Sequence, residues 1–149
     1  MSEPVKKKKL SSRTRSRRLA MQAIYQWLMS GDASVNDIEK QFAEDQEMQS
    51  ANEEYFSELL QGVVTNQKEL SDLMASHVSR PFDEIDPVEQ AVLLIAVYEF
   101  KYVPSVPYRA VINEAVELTK VYGAEAAYKF INGVLDKLAG DLRSAEKRA

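Results

Sequence analysis

The chain has 149 residues, 45% of them apolar and none of them cysteine; that suffices for one domain with a real core and excludes disulfides, thiolate metal sites and cysteine nucleophiles. No apolar run approaches the roughly 18 residues that span a bilayer, and no secretory-type apolar stretch follows the basic N-terminus, so a soluble cytoplasmic protein without membrane contact is expected. The net charge of −4 hides an asymmetry: residues 1–20 carry eight basic groups against Glu3 alone, while the remainder carries 11 basic and 22 acidic groups, the pattern of a short polyanion-binding arm on a body that repels polyanions.

Residues 1–12 read as a basic, flexible arm. Within it, Lys6, Lys7, Lys8 and Lys9 are either a solubilising run or a grip on a polyanion. The first helix is expected from about Arg13 to Ser30, ending at Gly31. A second, beginning after Ser34 or Asn36, buries Ile38 and Phe42. A long third helix, roughly 52–78, carries Tyr55, Phe56, Leu59, Val63, Leu70, Met74 and His77 at spacings of three, four and seven. The fourth opens with Asp86-Pro87-Val88-Glu89, where Asp86 caps, Pro87 fits the first helical position and Glu89 can reach back as in a capping box. Its run Ala91 to Tyr98 is apolar nearly all round, as in the central helix of a bundle. The fifth follows Ser105-Val106-Pro107 and runs to Gly123 on a core face of Tyr108, Val111, Ile112, Ala115, Leu118 and Tyr122. The sixth, from about Ala124 to Leu138, buries Ala127, Ile131, Val134, Leu135 and Leu138. Residues 13–142 thus form one helical domain, and 143–149 a polar tail that frays. Prolines stand only at positions 4, 81, 87, 104 and 107 and no two-residue alternation is sustained, so the fold class is all-α.

Signals for catalysis are absent. The one histidine, His77, sits on an apolar-spaced face with no nucleophile or metal partner supplied by spacing, and reads as a core or boundary residue. The carboxylates scatter over helix surfaces, and no phosphate-binding glycine loop or metal-ligand spacing occurs. The expectation is a protein that is no enzyme and needs no cofactor or metal.

The first helix says more. At 100° per residue, Ala20, Ala23, Ile24 and Trp27 share a core face. Arg15, Arg18, Gln22, Tyr25 and Met29 fall within about 80° of one another on the opposite face. Arginines can pair with phosphates, Gln22 can bond a base edge, and Tyr25 offers a ring to an unpaired base. Met29, where the stripe turns apolar, suits a protein surface. Tyr25 and Met29 could instead cover a neighbouring helix of the same molecule. That reading leaves the arginines unexplained, because they sit at the positive end of the helix dipole.

The Arg-rich lead into Ala20-Met21-Gln22-Ala23-Ile24-Tyr25-Gln26-Trp27, together with Tyr55-Phe56-Ser57-Glu58-Leu59-Leu60-Gln61-Gly62-Val63, Val88-Glu89-Gln90-Ala91-Val92-Leu93, Val106-Pro107-Tyr108-Arg109-Ala110-Val111-Ile112-Asn113-Glu114-Ala115 and Lys129-Phe130-Ile131-Asn132-Gly133-Val134-Leu135-Asp136-Lys137, resembles the NusB family of bacterial transcription antitermination factors over roughly residues 13–140. The resemblance implies six to seven helices in two small packed bundles. It implies binding of boxA-type single-stranded RNA from ribosomal RNA operon transcripts, jointly with NusE, a small-subunit ribosomal protein, in an RNA polymerase antitermination complex. It places RNA contacts at Arg13, Arg15, Arg17, Gln22, Tyr25, Lys129 and Phe130, to which helical phase adds Arg18, and NusE contacts at Tyr25, Met29, Asp83 and Glu89. Glu89 thus serves either the cap or the partner. Phe130, about 70° off its helix's core stripe, suits a packed ring or a stacking one. Two departures stand out. Thr14 interrupts an arginine run found whole in some relatives, and Ala126 and Ala127 occupy a turn where relatives can carry polar groups, so a hydrogen bond from that turn is lost here. Two other readings are an N-terminal module of the kind found on ribosomal RNA cytosine methyltransferases and a homodimer through the Tyr25 and Met29 stripe. The first needs a following α/β domain with a catalytic cysteine, and this chain supplies neither.

Overall fold

The computed structural model describes residues 10–148, and every regular element among them is helical. Lys6 to Lys9 lie outside the described residues. Helix α1 (Ser12–Ser30) starts where Ser11 Oγ accepts the Thr14 amide at 3.0 Å, satisfying one of the free donors of a first turn. It stops at Gly31, whose φ of 77° suits a residue without Cβ. Helix α2 (Val35–Ala43) turns Ile38 and Phe42 inward.

The long third helix expected from periodicity is two helices, α3 (Glu53–Thr65) and α4 (Gln67–Met74). The break is at Asn66, whose amide and Nδ2 both bond the Gly62 carbonyl, at 3.1 and 2.8 Å. A polar side chain that competes for backbone acceptors ends a helix without proline or glycine. After α4 the chain tightens into a single turn at Ala75–His77 and becomes extended at Val78.

Helix α5 (Pro87–Tyr102) is the hub. Asp86 Oδ1 accepts the Val88 amide at 2.9 Å, and every residue from Glu89 to Phe100 is buried. It packs against α1, α3 and α4 from the first half of the chain, and against α6 (Tyr108–Tyr122) and α7 (Ala127–Leu142) from the second. A helix apolar on all sides can serve two bundles at once. Each large side chain locked in this shared core, such as Phe56, Leu93 or Leu94, contributes about 1.5–3 kcal/mol of burial.

At Gly62 the ring of Tyr98 from α5 lies directly against the α3 backbone. A Cβ there would lie within 2.8 Å of Tyr98 Oη and nearer still to the ring carbons, and that ring is buried against Tyr102. Gly62→Ala is therefore expected to destabilise the protein by about 1–3 kcal/mol, despite alanine's better helix propensity. Chemical denaturation checks it, and a gain in stability would show that the helices separate freely.

Two expectations near the C-terminus are corrected. Helix α7 begins at Ala127 rather than Ala124, because Gly123 to Ala126 form a turn. Ala126 there adopts a left-handed conformation, φ 65°, alone among the described non-glycine residues. The polar tail does not fray at Arg143. Arg143 is buried, and Ser144–Arg148 form a short helix α8. The Arg143 guanidinium donates to the carbonyls of Glu99, Phe100, Val103 and Val106 at 2.7–3.2 Å, bridging the C-terminal end of α5 and the turn that follows it. Glu146 joins the same corner, accepting from Arg143 Nη1 at 2.6 Å and from the Tyr108 amide, the first of α6, at 2.8 Å.

Candidate nucleic-acid interface

The two faces of α1 are as the 100° phase requires. Ala20, Ala23 and Ile24 are wholly buried, whereas Trp27, expected with them, is half-buried at the rim of the core. On the other side Arg15, Arg18 and Gln22 are half-buried, while Tyr25 and Met29 are 38% and 59% exposed. The face holds its shape through Gln22, whose Nε2 donates to the Arg18 carbonyl at 3.2 Å and to Tyr122 Oη at 3.3 Å. A fixed amide between two arginines and an exposed ring can position phosphates and stack a base.

The Gln22 contact also brings in α6. Tyr122, expected in the core, is exposed at the end of that helix beside exposed Val121. Tyr122 joins Met21, Tyr25, Met29, Phe42 and Val88 around a groove of about 590 Å³. On the other flank of α1, Thr14, Arg18, Asn113, Glu114 and Glu117 line a more polar hollow of about 690 Å³.

Arg17 points the other way. It is 5% exposed, against Glu99 at 1%. Its Nε bonds Glu99 Oε1 and Oε2 at 3.0 and 3.1 Å, its Nη2 bonds Oε2 at 2.9 Å, and its Nη1 lies 3.4 Å from Glu114 Oε1. The Tyr55 hydroxyl also donates to Glu99, and Thr14 Oγ1 to Glu114 at 2.8 Å. Burial lowers the guanidinium's proton affinity, but the Glu99 hydrogen bonds and charge outweigh it and hold Arg17 above its ordinary value. Arg17 is consequently not an available phosphate contact. The expectation erred by grouping it with its neighbours in sequence. Seven residues before Ile24, it shares that residue's inward phase.

Arg13 is exposed, with its guanidinium 4.2 Å from the Tyr55 ring centroid. It therefore borders this buried network and lies off the Tyr25 face. Lys129 is exposed and Phe130 half-buried on the first turn of α7, seven and eight residues beyond Tyr122. Arg80 lies over the Phe130 ring, 5.8 Å from its centroid.

Of the other residues expected to meet a protein partner, Asp83 is exposed and Glu89 is buried in the first turn of α5, beside Val88 of the groove. The capping-box reading of Glu89 is corrected. Among the described residues no hydrogen bond joins it to the Asp86 amide, and Asp86 caps the helix alone. Burial, with the charge of Asp86 behind it, raises the Glu89 carboxyl above its ordinary range, against the pull of Arg80. His77 is tied up locally, with Nε2 2.6 Å from Asp141 Oδ2, and no cluster of metal-ligating groups occurs among the described residues.

A model of the NusB family matches residues 14–140. The transcription antitermination protein NusB of Shewanella woodyi is 46% identical over 132 residues, spanning 89% of this chain and 98% of that protein. The corresponding protein of Shewanella loihica is 48% identical over 130 residues, covering 87% and 96%. Among solved structures, NusB of T. maritima superposes with a TM-score of 0.79 at 25% identity, over 94% of this chain and all of that one. A crystal structure of antitermination factors NusB and NusE in complex with dsRNA superposes with a TM-score of 0.74 at 26% identity, over 86% and 96% of the two chains.

Proposed function

We infer the function of this protein from one premise: the chain belongs to the NusB family. It is an RNA-binding transcription antitermination protein and not an enzyme. The finer reading is that it holds boxA-type single-stranded RNA together with NusE and delivers the pair to an RNA polymerase antitermination complex in the cytoplasm. The observation that carries it is the outward line of Arg15, Arg18, Gln22 and Tyr25 on a helix whose other face is locked in the core. The relative solved with NusE and dsRNA supports the two kinds of ligand.

In this reading Arg15 and Arg18 take phosphates, Gln22 a base edge and Tyr25 a base face. Arg13 contributes from the flank, and Lys129 and Phe130 extend the path onto α7. The apolar groove below Tyr25, with Met29, Asp83 and Glu89 near it, receives the ribosomal protein. Tyr25 stands where the two surfaces meet. An exposed thioether and aromatic rings over an apolar floor suit a protein partner better than a polyanion.

The test is a titration of boxA-like RNA against a scrambled control, with and without the NusE-type protein. Tyr25→Ala is expected to weaken RNA binding by about 1–3 kcal/mol, the range for one base–aromatic stack. Arg15→Ala is expected to lower the slope of log affinity against log salt by about 0.7, one single-strand phosphate contact. If both variants bind RNA as the parent does when the partner is present, the α1 site is wrong. Equal binding to both RNAs would leave only a nonspecific basic surface.

A further inference from the structure

We propose that Arg80 belongs to the RNA-binding surface, its guanidinium forming with the Phe130 ring a stacking platform for an unpaired base at the start of α7. This rests on the reading of Lys129 and Phe130 as RNA contacts and adds a residue that neither phase nor resemblance supplied. Arg80 stands in an irregular stretch between the turns Ala75–His77 and Phe82–Glu84, far in sequence from every other basic residue discussed.

The stretch is anchored on both sides. Before Arg80, His77 is bound to Asp141 of α7 at 2.6 Å. After it, Glu84 and Ile85 amides donate to the Pro81 and Phe82 carbonyls at 3.0 and 3.1 Å, Ile85 is fully in the core, and Gln90 holds the Ile85 carbonyl. Pro81 fixes its own φ and restricts Arg80 to extended backbone. The arginine is therefore presented from a fixed base onto α7.

Phe130 supplies the other half. It packs partly against the core, which fixes the ring, and Arg80 covers it at 5.8 Å. A guanidinium is planar, weakly hydrated and able to stack on a ring while its edge donates to a phosphate. An unpaired base can lie on either the ring or the guanidinium plane. Lys129, exposed next to Phe130, adds charge for the backbone of the same nucleotide. Arg80 and Lys129 form no ion pair among the described residues, whereas Lys68, Lys101, Lys120 and Lys147 are each matched to a carboxylate. The two cations are needed, because Asp83 and Glu84 follow directly in the chain and repel a polyanion.

A plainer role for Arg80 is that of counter-charge to the buried Glu89 carboxyl, on which it acts. The two roles separate experimentally. The full-length protein, saturated with NusE-type protein, is titrated with a boxA-sequence RNA oligonucleotide over a salt series, alongside its Arg80→Ala, Arg80→Lys, Lys129→Ala and Phe130→Ala variants. Binding of the NusE-type protein and thermal stability are measured for each. Arg80→Ala is expected to weaken RNA binding about tenfold and to lower the salt slope by about 0.7. Arg80→Lys is expected to restore the slope but not the affinity, since an ammonium cannot stack as a plane. Unchanged RNA affinity for Arg80→Ala at saturating partner, with Phe130→Ala weakened, would overturn the proposal and leave Arg80 as the Glu89 counter-charge. Parent-like binding by Arg80→Ala, Lys129→Ala and Phe130→Ala together would overturn it along with the α7 contacts, without touching the α1 site.

Discussion

Arg17→Ala is expected to lower the free energy of unfolding by about 3–5 kcal/mol, the cost of stranding one partner of a buried ion pair. Glu99 lies near the C-terminal end of α5 with 1% exposure and receives three hydrogen bonds from Arg17, joined by one from Tyr55. Without the guanidinium, a carboxylate remains among Val92, Ile95, Ala96 and Val111 with one phenol for a donor. Removing both charges is expected to cost far less, so Arg17→Met combined with Glu99→Leu should recover most of the loss. Urea denaturation of the two single variants and the double variant decides the matter. A double variant as unstable as Arg17→Ala would mean that packing, not charge, is at stake. If Arg17→Lys folds, its RNA salt slope should match the parent's, unlike that of Arg15→Ala.

The same network predicts an alkaline limit. Burial first, then the charge and hydrogen bond of Glu99, raise the Tyr55 phenol above its ordinary value of 10.0. The unfolded chain therefore loses this proton before the folded one does. The contribution is complete below pH 10 and diminishes as the pH rises above it. Tyr55→Phe should remove that dependence.

Arg143→Ala is expected to cost about 2–4 kcal/mol, since the Phe100 and Val106 carbonyls lose this donor while those of Glu99 and Val103 keep the amides of Val103 and Val106, and each buried, unpaired acceptor costs about 1–3 kcal/mol. The fall in Tm should be about 2–4 °C for each kcal/mol lost in a chain of this size. Glu146→Gln is expected to reproduce part of the effect and to change its acid dependence. The Tyr108 amide, and secondarily Arg143, hold the Glu146 carboxyl below its ordinary value of 4.5. The unfolded chain thus takes up this proton first, and the contribution present above pH 4.5 is lost as the pH falls through the lower, folded value. A parent-like Tm for Arg143→Ala would mean that solvent replaces the guanidinium at no cost.

The contrast between Arg15 and Arg17 shows what the sequence could and could not yield. Phase alone put Arg15, Arg18, Gln22 and Tyr25 on one outward face, because a helix end that must bury Ala20, Ala23 and Ile24 has no other way to turn. The inward phase of Arg17 was also legible, from its seven-residue step to Ile24, but a charge-dense run invites treatment as one surface. Glu99 was the missing partner, an acid that directly follows the apolar run Ala91 to Tyr98. The break at Asn66 was hidden, because α3 and α4 keep one apolar spacing through it and the ending is made by a side chain bonding its own backbone. Arg143, Tyr122 and Arg80 lay beyond any local pattern. Their roles come from elements 37 or more residues away in the chain, which fold geometry alone brings together.

The reach of Arg143 to Phe100, 43 residues back, also has a consequence in time. A chain made from its N-terminus at about 5–20 residues per second exposes the end of α5 for roughly 2–9 s before this guanidinium is joined to it. Until then the corner between α5 and α6 has no latch of its own. The first bundle can close around α1 and α3 while translation continues, and the second sets only when the last helical turn arrives.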